Sequence, residues 1–479
     1  MSLNYLKTLK PANFIGREDE LSRLKTILDA KESSITALYG RRRVGKTALI
    51  EAALSGRRAL KFEGLEGKSI SQQRKAFLEE LSRYCSDINI ARLSLKSWRE
   101  VFIVLAEKIA GTEDVVVYLE ELQWLANYRH DLVSDLKYVW DNHFSKLNGL
   151  KLILCGSATS FMLGKVVRSK ALYSRSLYEV PLEPFTLRES KKFLDNYSDS
   201  NVLDAYLLVG GIPEYLRYFK NSGTPHQTLQ NEAFVPGGYF VSEFERVFIS
   251  SLAKFEQHKQ VILAFAKRSF FNRSELAVAT RVSEGGSFTN VLSDLELIGL
   301  IAKFKGFHSG KNRYYLRDPY LNFYLKFILP KLTNIRGGHY KKGLADAVDL
   351  DRLQQHLGYS FERFCREKHF SLARILGISG IQYTFGPYGN VTKSGDGFQF
   401  DLAFDRKDRC LSLFEVKCRQ TPLGIEVASE FERKLKNLKV PKTHNIQKVL
   451  VSSGPVSTSL RDARYFNRII ELEEIVREF

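Results

Sequence analysis

The sequence predicts an α/β protein: a parallel sheet in the N-terminal part, a mostly helical middle and a smaller α/β unit at the C-terminal end. Three observations point there. From Phe14 to about Thr186, short β-branched or leucine-rich runs alternate with longer helical stretches, the pattern of strands joined by crossover helices. From about Leu187 to Leu332 helical periodicity dominates, interrupted by one hairpin. After Asp349 the chain returns to helix, strands, helix and strand. A chain of 479 residues is too long for one ordinary domain, and these changes divide it at 1–186, 187–250, 251–332, 333–349 and 350–479. Within 333–349, the run Asn334–Lys342 (NIRGGHYKK) contains glycine, is basic and lacks apolar bulk, so it reads as an interdomain linker.

Composition narrows the class. With 44% hydrophobic and 26% charged residues the chain has the balance of a folded protein rather than a disordered one. A formal charge of +18 favours a polyanionic partner such as nucleic acid. No apolar run approaches the roughly 18–20 residues needed to span a bilayer, so no membrane role is expected. The start, Met1-Ser2-Leu3-Asn4-Tyr5-Leu6, shows no charged-then-apolar signal pattern. Five scattered cysteines without a CxxC pair argue against a disulfide framework, and the expected location is the reducing cytoplasm.

The first element with chemistry is Gly40-Arg41-Arg42-Arg43-Val44-Gly45-Lys46-Thr47, which matches G-x-x-x-x-G-K-[ST] at every fixed position. A predicted strand, Ser34–Tyr39, precedes it, and a helix beginning at Ala48 follows. Backbone N–H groups at a helix N-terminus have to surround a phosphate closely, which glycine permits. Residues Gly40 to Ala48 are therefore the expected ATP-binding loop. Lys46 neutralises the β- and γ-phosphates, and the Thr47 hydroxyl ligates Mg²⁺. Arg41, Arg42 and Arg43 read as solvent-facing. A second strand, Val115–Leu119, runs into Glu120 and Glu121. The first carboxylate is expected to orient the Mg²⁺ shell and the second to polarise the attacking water. Aspartate is usual at the first position, so the extra methylene of Glu120 puts ordinary Mg²⁺ geometry and turnover in question. A third apolar strand is Leu152–Cys155.

In order and spacing, Phe14-Ile15-Gly16-Arg17-Glu18-Asp19-Glu20-Leu21, the phosphate loop, Leu119–Leu125 and Leu154–Met162 resemble the archaeal-type ATPases, P-loop proteins near the AAA+ and STAND classes. The likeness continues through Pro184-Phe185 and Gly210–Leu216. It implies that Phe14–Leu21 lies near the adenine and that Ser157 or Thr159 stands at the sensor position by the γ-phosphate. It also implies that Arg175 sits where the family has an arginine acting on nucleotide, and that 187–250 is a helical lid.

In the middle region, Asn272–Ala277 reads as a capped helix start with Glu275 in its first turn. Ser283–Gly286 forms a turn and Ser287–Ile298 a second helix. Leu300–Lys305 and Arg313–Leu316 follow as a hairpin joined by Gly306–Asn312. Helix, turn, helix and hairpin make a winged helix. Lys303, Lys305, Lys311, Arg313 and Arg317, with no acid between Ala302 and Arg317, suit DNA phosphates, whereas Asp294 and Glu296 on the second helix argue against base reading.

In the C-terminal unit, Asp401 lies in a predicted strand where apolar and other residues alternate, and Glu415-Val416-Lys417 closes the next one. Period two puts Glu415 and Lys417 on one face, and hairpin pairing brings Asp401 towards both. Two carboxylates sharing Mg²⁺ beside a lysine can activate water for phosphodiester cleavage. Glu362, in a helix predicted over Tyr359–Phe370, is a further candidate ligand. The arrangement Glu362, Asp401, Glu415-Val416-Lys417 resembles the PD-(D/E)XK nuclease fold over about Gln355–Ser453, including a helix Ile425–Leu438 and a final strand Gln447–Val451. Phe400 stands where the motif's proline would be.

The sequence thus suggests an α/β chain with a P-loop NTPase parallel sheet, a helical lid, a winged helix and a small α/β nuclease-like domain. Its expected cofactors are ATP and Mg²⁺, and its expected partner is nucleic acid, DNA first. Self-assembly or a protein partner is left open. The expected function is ATP-controlled action of the winged helix and nuclease-like unit on nucleic acid. The alternatives are an ATP-dependent regulatory or scaffolding switch without nuclease activity, and an ATP-driven remodeller of a protein partner.

Overall fold

The computed structural model describes residues 3–5, 14–169, 172, 177–249, 255–305, 312–340, 344–390, 398–438 and 443–479. The chain forms two compact units, Met1–Pro184 with Val247–Ala253, and Phe185–Arg246 with Lys254–Phe479. Among the described residues no helix is long and apolar enough to cross a membrane.

The first unit is built on a five-stranded parallel sheet, β1 (Ser34–Tyr39), β2 (Arg58–Glu63), β3 (Val115–Glu120), β4 (Lys151–Gly156) and β5 (Leu177–Pro181), in the order β2-β3-β4-β1-β5. Every residue of β1, β3 and β4 is buried, which is why these strands appear in the sequence as continuous apolar runs. The edge strands β2 and β5 are mixed in polarity and are not marked in the sequence reading. Helices Ile70–Cys85, Trp98–Ile109 and Asp131–Asn142 carry apolar stripes that pack with the sheet residues in one core. Phe62 stacks on Phe77 with ring centroids 3.8 Å apart, and Trp98 and Phe102 close the same cluster. The registers Leu38↔Cys155 and Tyr39↔Gly156 end β1 and β4 side by side, so the loops after them share one edge of the sheet.

The second unit contains the helical stretch 187–246, a three-stranded antiparallel sheet and a five-stranded mixed sheet. Asn272 caps helix Arg273–Thr280 in a reciprocal box with Glu275, as expected. Helix Gly286–Leu297 follows, then β7 (Ile301–Lys305) and β8 (Asn312–Leu316); a short strand absent from the sequence reading, β6 (Phe270–Phe271), pairs with β8. The connection at 306–311 lies outside the described residues. The linker reading is corrected at its start: Leu332–Arg336 is helical, with Ile335 buried, while 341–343 lie outside the described residues.

The mixed sheet is ordered β13-β12-β11-β10-β9. β9 (Tyr383–Asn390), β10 (Phe398–Arg406) and β11 (Cys410–Lys417) run antiparallel, whereas β12 (Asn445–Ser452) and β13 (Arg468–Ile470) run parallel to β11. Strand β12 is therefore not the last. The expected helix Tyr359–Phe370 is part of Leu350–Glu367, which stops at Lys368 before a separate helix, His369–Ile375. The helix expected over Ile425–Leu438 is Glu426–Lys436.

Within this unit, Asp204 on helix Asp199–Val209 is 9% exposed, and burial pushes its pKa up to about 7 from an ordinary 3.8. The folded chain therefore keeps a proton that the unfolded chain releases, and stability falls as pH rises between those two values. Asp204→Asn should leave the unfolding midpoint nearly unchanged at pH 4 and raise it by a few degrees at pH 8. Thermal unfolding at the two pH values checks this, and an equal effect at both would show that Asp204 titrates normally.

Candidate nucleotide site

The loop after β1 turns at Gly40, where a Cβ atom would collide with the backbone carbonyl of Leu182. It leaves through Arg43 (φ 69°) and Gly45 (φ 93°) in the left-handed region, then enters helix Lys46–Ala53. Gly45 offers no side-chain cap, and the first backbone bond into the helix is Leu49 N to Gly45 O at 3.0 Å. The N–H groups of Lys46, Thr47 and Ala48 accordingly have no partner within the helix, the arrangement that receives a phosphate. Lys46 is 8% exposed, and its ammonium donates to the carbonyls of Gly40 (2.9 Å) and Arg41 (2.8 Å). Burial lowers its pKa, against the pull of Cys155, Glu121 and Glu120. The three loop arginines differ from expectation. Only Arg42 faces solvent, and Arg41 and Arg43 are half-buried.

Both predicted carboxylates reach this edge. The Thr47 hydroxyl donates to Glu120 Oε1, and Lys61 of β2 forms an ion pair with Glu120 Oε2. Burial opposes charge on Glu120. The bonds from Lys61 and Thr47 and the Lys61 charge outweigh it, so the pKa is lowered and Glu120 stands as a carboxylate. Thr47 and Glu120 together offer adjacent hard oxygen donors, a set suited to Mg²⁺. Glu121 has a left-handed backbone (φ 49°), and its Oε2 accepts from Ser157 Oγ at 2.8 Å and from Gln123 Nε2 at 2.6 Å. Gln123 also donates to Ser157 Oγ at 3.0 Å. At Gly156 a Cβ would meet Met162 Sδ at 2.7 Å and Gln123 Oε1 at 2.9 Å, so the strand end has to be glycine for this triad to close. Thr159, the other sensor candidate, is buried with its hydroxyl unpaired. Arg175 lies outside the described residues.

Lys61, Gln123 and Arg17 are participants that the sequence reading did not assign. Arg17, left-handed at φ 64° and 3% exposed, donates to Val44 O at 3.1 Å and Glu183 O at 2.5 Å, which ties the Phe14–Leu21 segment to the phosphate loop. A signal for Lys61 lay in the register: β2 pairs Glu63 with Glu120, so the same-face residue two positions earlier borders that carboxylate.

The C-terminal candidates are brought near one another, yet they do not gather around one point. Asp401 Oδ2 accepts from Val416 N at 2.9 Å, beside a register shift between Phe400 and Ala403 in the β9–β10 pairing. Glu415 is 1% exposed, with Lys417 at 3.0 Å on one oxygen and Lys434 at 2.7 and 2.8 Å on both. Lys417 also pairs with Glu430 at 3.0 Å. Burial, then mutual repulsion among Glu362, Asp401 and Glu415, pushes the pKa of both Glu362 and Asp401 up. Among the described residues, no three His, Cys, Asp or Glu side chains could hold a metal ion together. Lys434, which occupies Glu415, continues the buried stripe of Val427 and Phe431 on its helix; a lysine in an apolar stripe was the available sign.

The Glu121–Ser157 contact yields a specific expectation. If the chain hydrolyses ATP with Glu121 as the carboxylate that polarises water, Ser157→Ala should slow hydrolysis by about tenfold or more while changing ATP affinity by less than about threefold, because Ser157 touches Glu121. Turnover and KM measured together check it, and a change in KM alone would place Ser157 in binding.

Part of the chain is similar to known proteins. Residues 14–219 match the family described as an ATPase domain predominantly from Archaea. An uncharacterized protein of Methanocaldococcus jannaschii, MJECL04, is 25% identical over 417 residues, 84% of this chain and 87% of that one. Among solved structures, the Walker-type ATPase PABY2304 of Pyrococcus abyssi is 21% identical and is matched over 68% of this chain and 99% of its own, with a TM-score of 0.45. The ORC2 protein of Aeropyrum pernix, solved in ADPNP and ADP complexes, is 14% identical over 69% of this chain and 96% of its own, also with a TM-score of 0.45. The phosphate loop, its two carboxylates and the Ser157 contact all fall within residues 14–219, the stretch that is similar to the ATPase domain found predominantly in Archaea.

Proposed function

We propose that the chain binds ATP with Mg²⁺ and hydrolyses it, and that its nucleotide state controls the regions 251–332 and 350–479 in their action on nucleic acid. One observation carries the ATP reading: Lys46, Thr47, Glu120, Glu121 and Ser157 converge at the ends of β1, β3 and β4, outside the carboxyl edge of a parallel sheet. In this reading Lys46 leaves the loop carbonyls for the phosphates. Thr47 and Glu120 hold Mg²⁺, which supplies charge neutralisation at the phosphates. Glu121, fixed by Ser157 and Gln123, orients the attacking water. Lys46→Ala should abolish ATP binding and lower turnover by at least about a hundredfold. Isothermal titration and phosphate release test this, and hydrolysis that survives the substitution would remove the assignment.

The winged-helix reading of 251–332 is supported by the capped helix pair and the β6-β8-β7 sheet. A second activity, metal-dependent phosphodiester cleavage, is favoured by the repulsion between Glu362 and Asp401 and by Lys417 beside Glu415. The residues in their present arrangement do not fit a shared metal, since Lys434 holds both oxygens of Glu415. If the second reading is right, wild type with Mg²⁺ or Mn²⁺ cuts plasmid, single-stranded DNA or RNA, and Lys417→Ala does not. Intact substrates with wild type leave the ATP-dependent switch without nuclease activity as the reading.

A further inference from the structure

The second unit contains a cleft of about 540 Å³ bordered by Lys267, Arg268, Lys326, Arg352, Arg363 and Arg366. One carboxylate, Glu362, lines it with them. Of the six cations only Arg268 has an ion-pair partner among the described residues, Glu275 at 3.2 Å. Two lining groups are buried with nitrogen atoms that lack any hydrogen-bond partner: Arg366 Nε, on a residue 8% exposed, and His356 Nε2, on a residue 5% exposed. Burial and the neighbouring Arg352 and Arg363 lower the pKa of Lys326, a sign that positive charge is crowded here. Such a grouping is costly unless an anion shares it. The cleft also carries an aromatic surface. Tyr359 is 64% exposed with Lys326 over its ring at 5.7 Å, and Phe270 also lines the cleft. Cations tracking a backbone beside open ring faces are the features that hold an unpaired nucleic-acid strand.

We infer that this cleft binds the phosphodiester backbone of single-stranded nucleic acid, with a base on Tyr359, and that the strand passes Glu362 and Gln399 at the margin of the Asp401–Glu415 cluster. The inference deepens the nucleic-acid reading above and rests on it. It places the charged contacts on Lys267, Arg268, Lys326, Arg352, Arg363 and Arg366 rather than on the lysines and arginines of the wing, and no sequence run announces them.

The test is fluorescence anisotropy of a labelled 15-nucleotide single strand across a salt series. The proteins are wild type, the exposed-site double variant Lys267→Glu/Arg352→Glu, Tyr359→Ala and a wing control with the same charge change, Lys303→Glu/Lys305→Glu. The cleft pair should weaken binding by about tenfold or more and reduce the log–log salt slope by about 1.4, two single-strand phosphate contacts. Tyr359→Ala should cost about fivefold or more with the slope unchanged. The wing control should stay within about threefold of wild type. Binding by wild type with the cleft pair unaffected, or with the wing control equally impaired, overturns the cleft and leaves the nucleic-acid partner standing. No binding by wild type overturns both. Inorganic pyrophosphate added to Lys46→Ala separates the sources of phosphate: if it displaces the strand at equal concentration of phosphate groups, the cleft holds free anions and the strand assignment falls. Matching melting temperatures among the variants confirm that loss of binding is not loss of fold.

Discussion

The first unit depends on one buried carboxylate. Glu120 sits at the end of β3, takes a hydrogen bond from Thr47 at the start of the helix after the phosphate loop, and pairs with Lys61 of β2. Three neighbouring elements are thereby tied at the edge where the nucleotide is proposed to lie. A carboxylate 8% exposed would be neutral or destabilising if it stood alone. Two donors, one of them charged, reverse that balance and hold it ionised. The extra methylene that made Glu120 look doubtful beside an aspartate has a use in this frame. It gives the carboxylate the span to meet Thr47 with one oxygen and Lys61 with the other.

The carboxylates of the second unit show the opposite balance. Burial first, and then repulsion from neighbouring carboxylates, pushes the pKa of Glu362 and Asp401 up, against the hydrogen bond from Val416 to Asp401 and the nearby cations. Glu415 forms ion pairs with Lys417 and Lys434. Buried carboxylates thus give one ionised anion in the first unit, and in the second two carboxyl groups that hold their protons more tightly, beside an ion pair. Position in sequence could suggest both sites as metal centres. Only the balance of burial against specific partners separates them.

That distinction also marks how far the sequence could be read. The buried strands β1, β3 and β4 were legible because a strand covered on both faces has to be apolar throughout. The phosphate loop was legible because phosphate approach requires glycine at fixed places. The edge strands β2, β5, β6 and β13 were not, since an edge strand satisfies less of its backbone within the sheet and tolerates polar residues. Of the nucleotide site, Lys46, Thr47, Glu120, Glu121 and Ser157 were found from motif and order, whereas Lys61 and Gln123 were not. These two act through register and through a loop conformation, left-handed at Glu121, neither of which leaves a composition signal.

The distribution of positive charge makes the same point from another side. The basic run from Lys303 to Arg317 stands out in the sequence, but Lys303 is paired with Glu296 and Arg317 with Glu367, each at 3.1 Å. Two of its five cations are thus paired with acids that lie outside the run. The cations around the cleft show the reverse. Lys267, Lys326, Arg352 and Arg366 are scattered in sequence and look unremarkable one by one, yet folding collects them around one space, and among the described residues no carboxylate forms an ion pair with them. A surface charge with a local partner is largely screened and contributes little. Cations grouped without partners, two lining nitrogens buried and unsatisfied, raise the energy of the unit until an anion enters. The excess of +18 therefore points to the cleft more than to the wing.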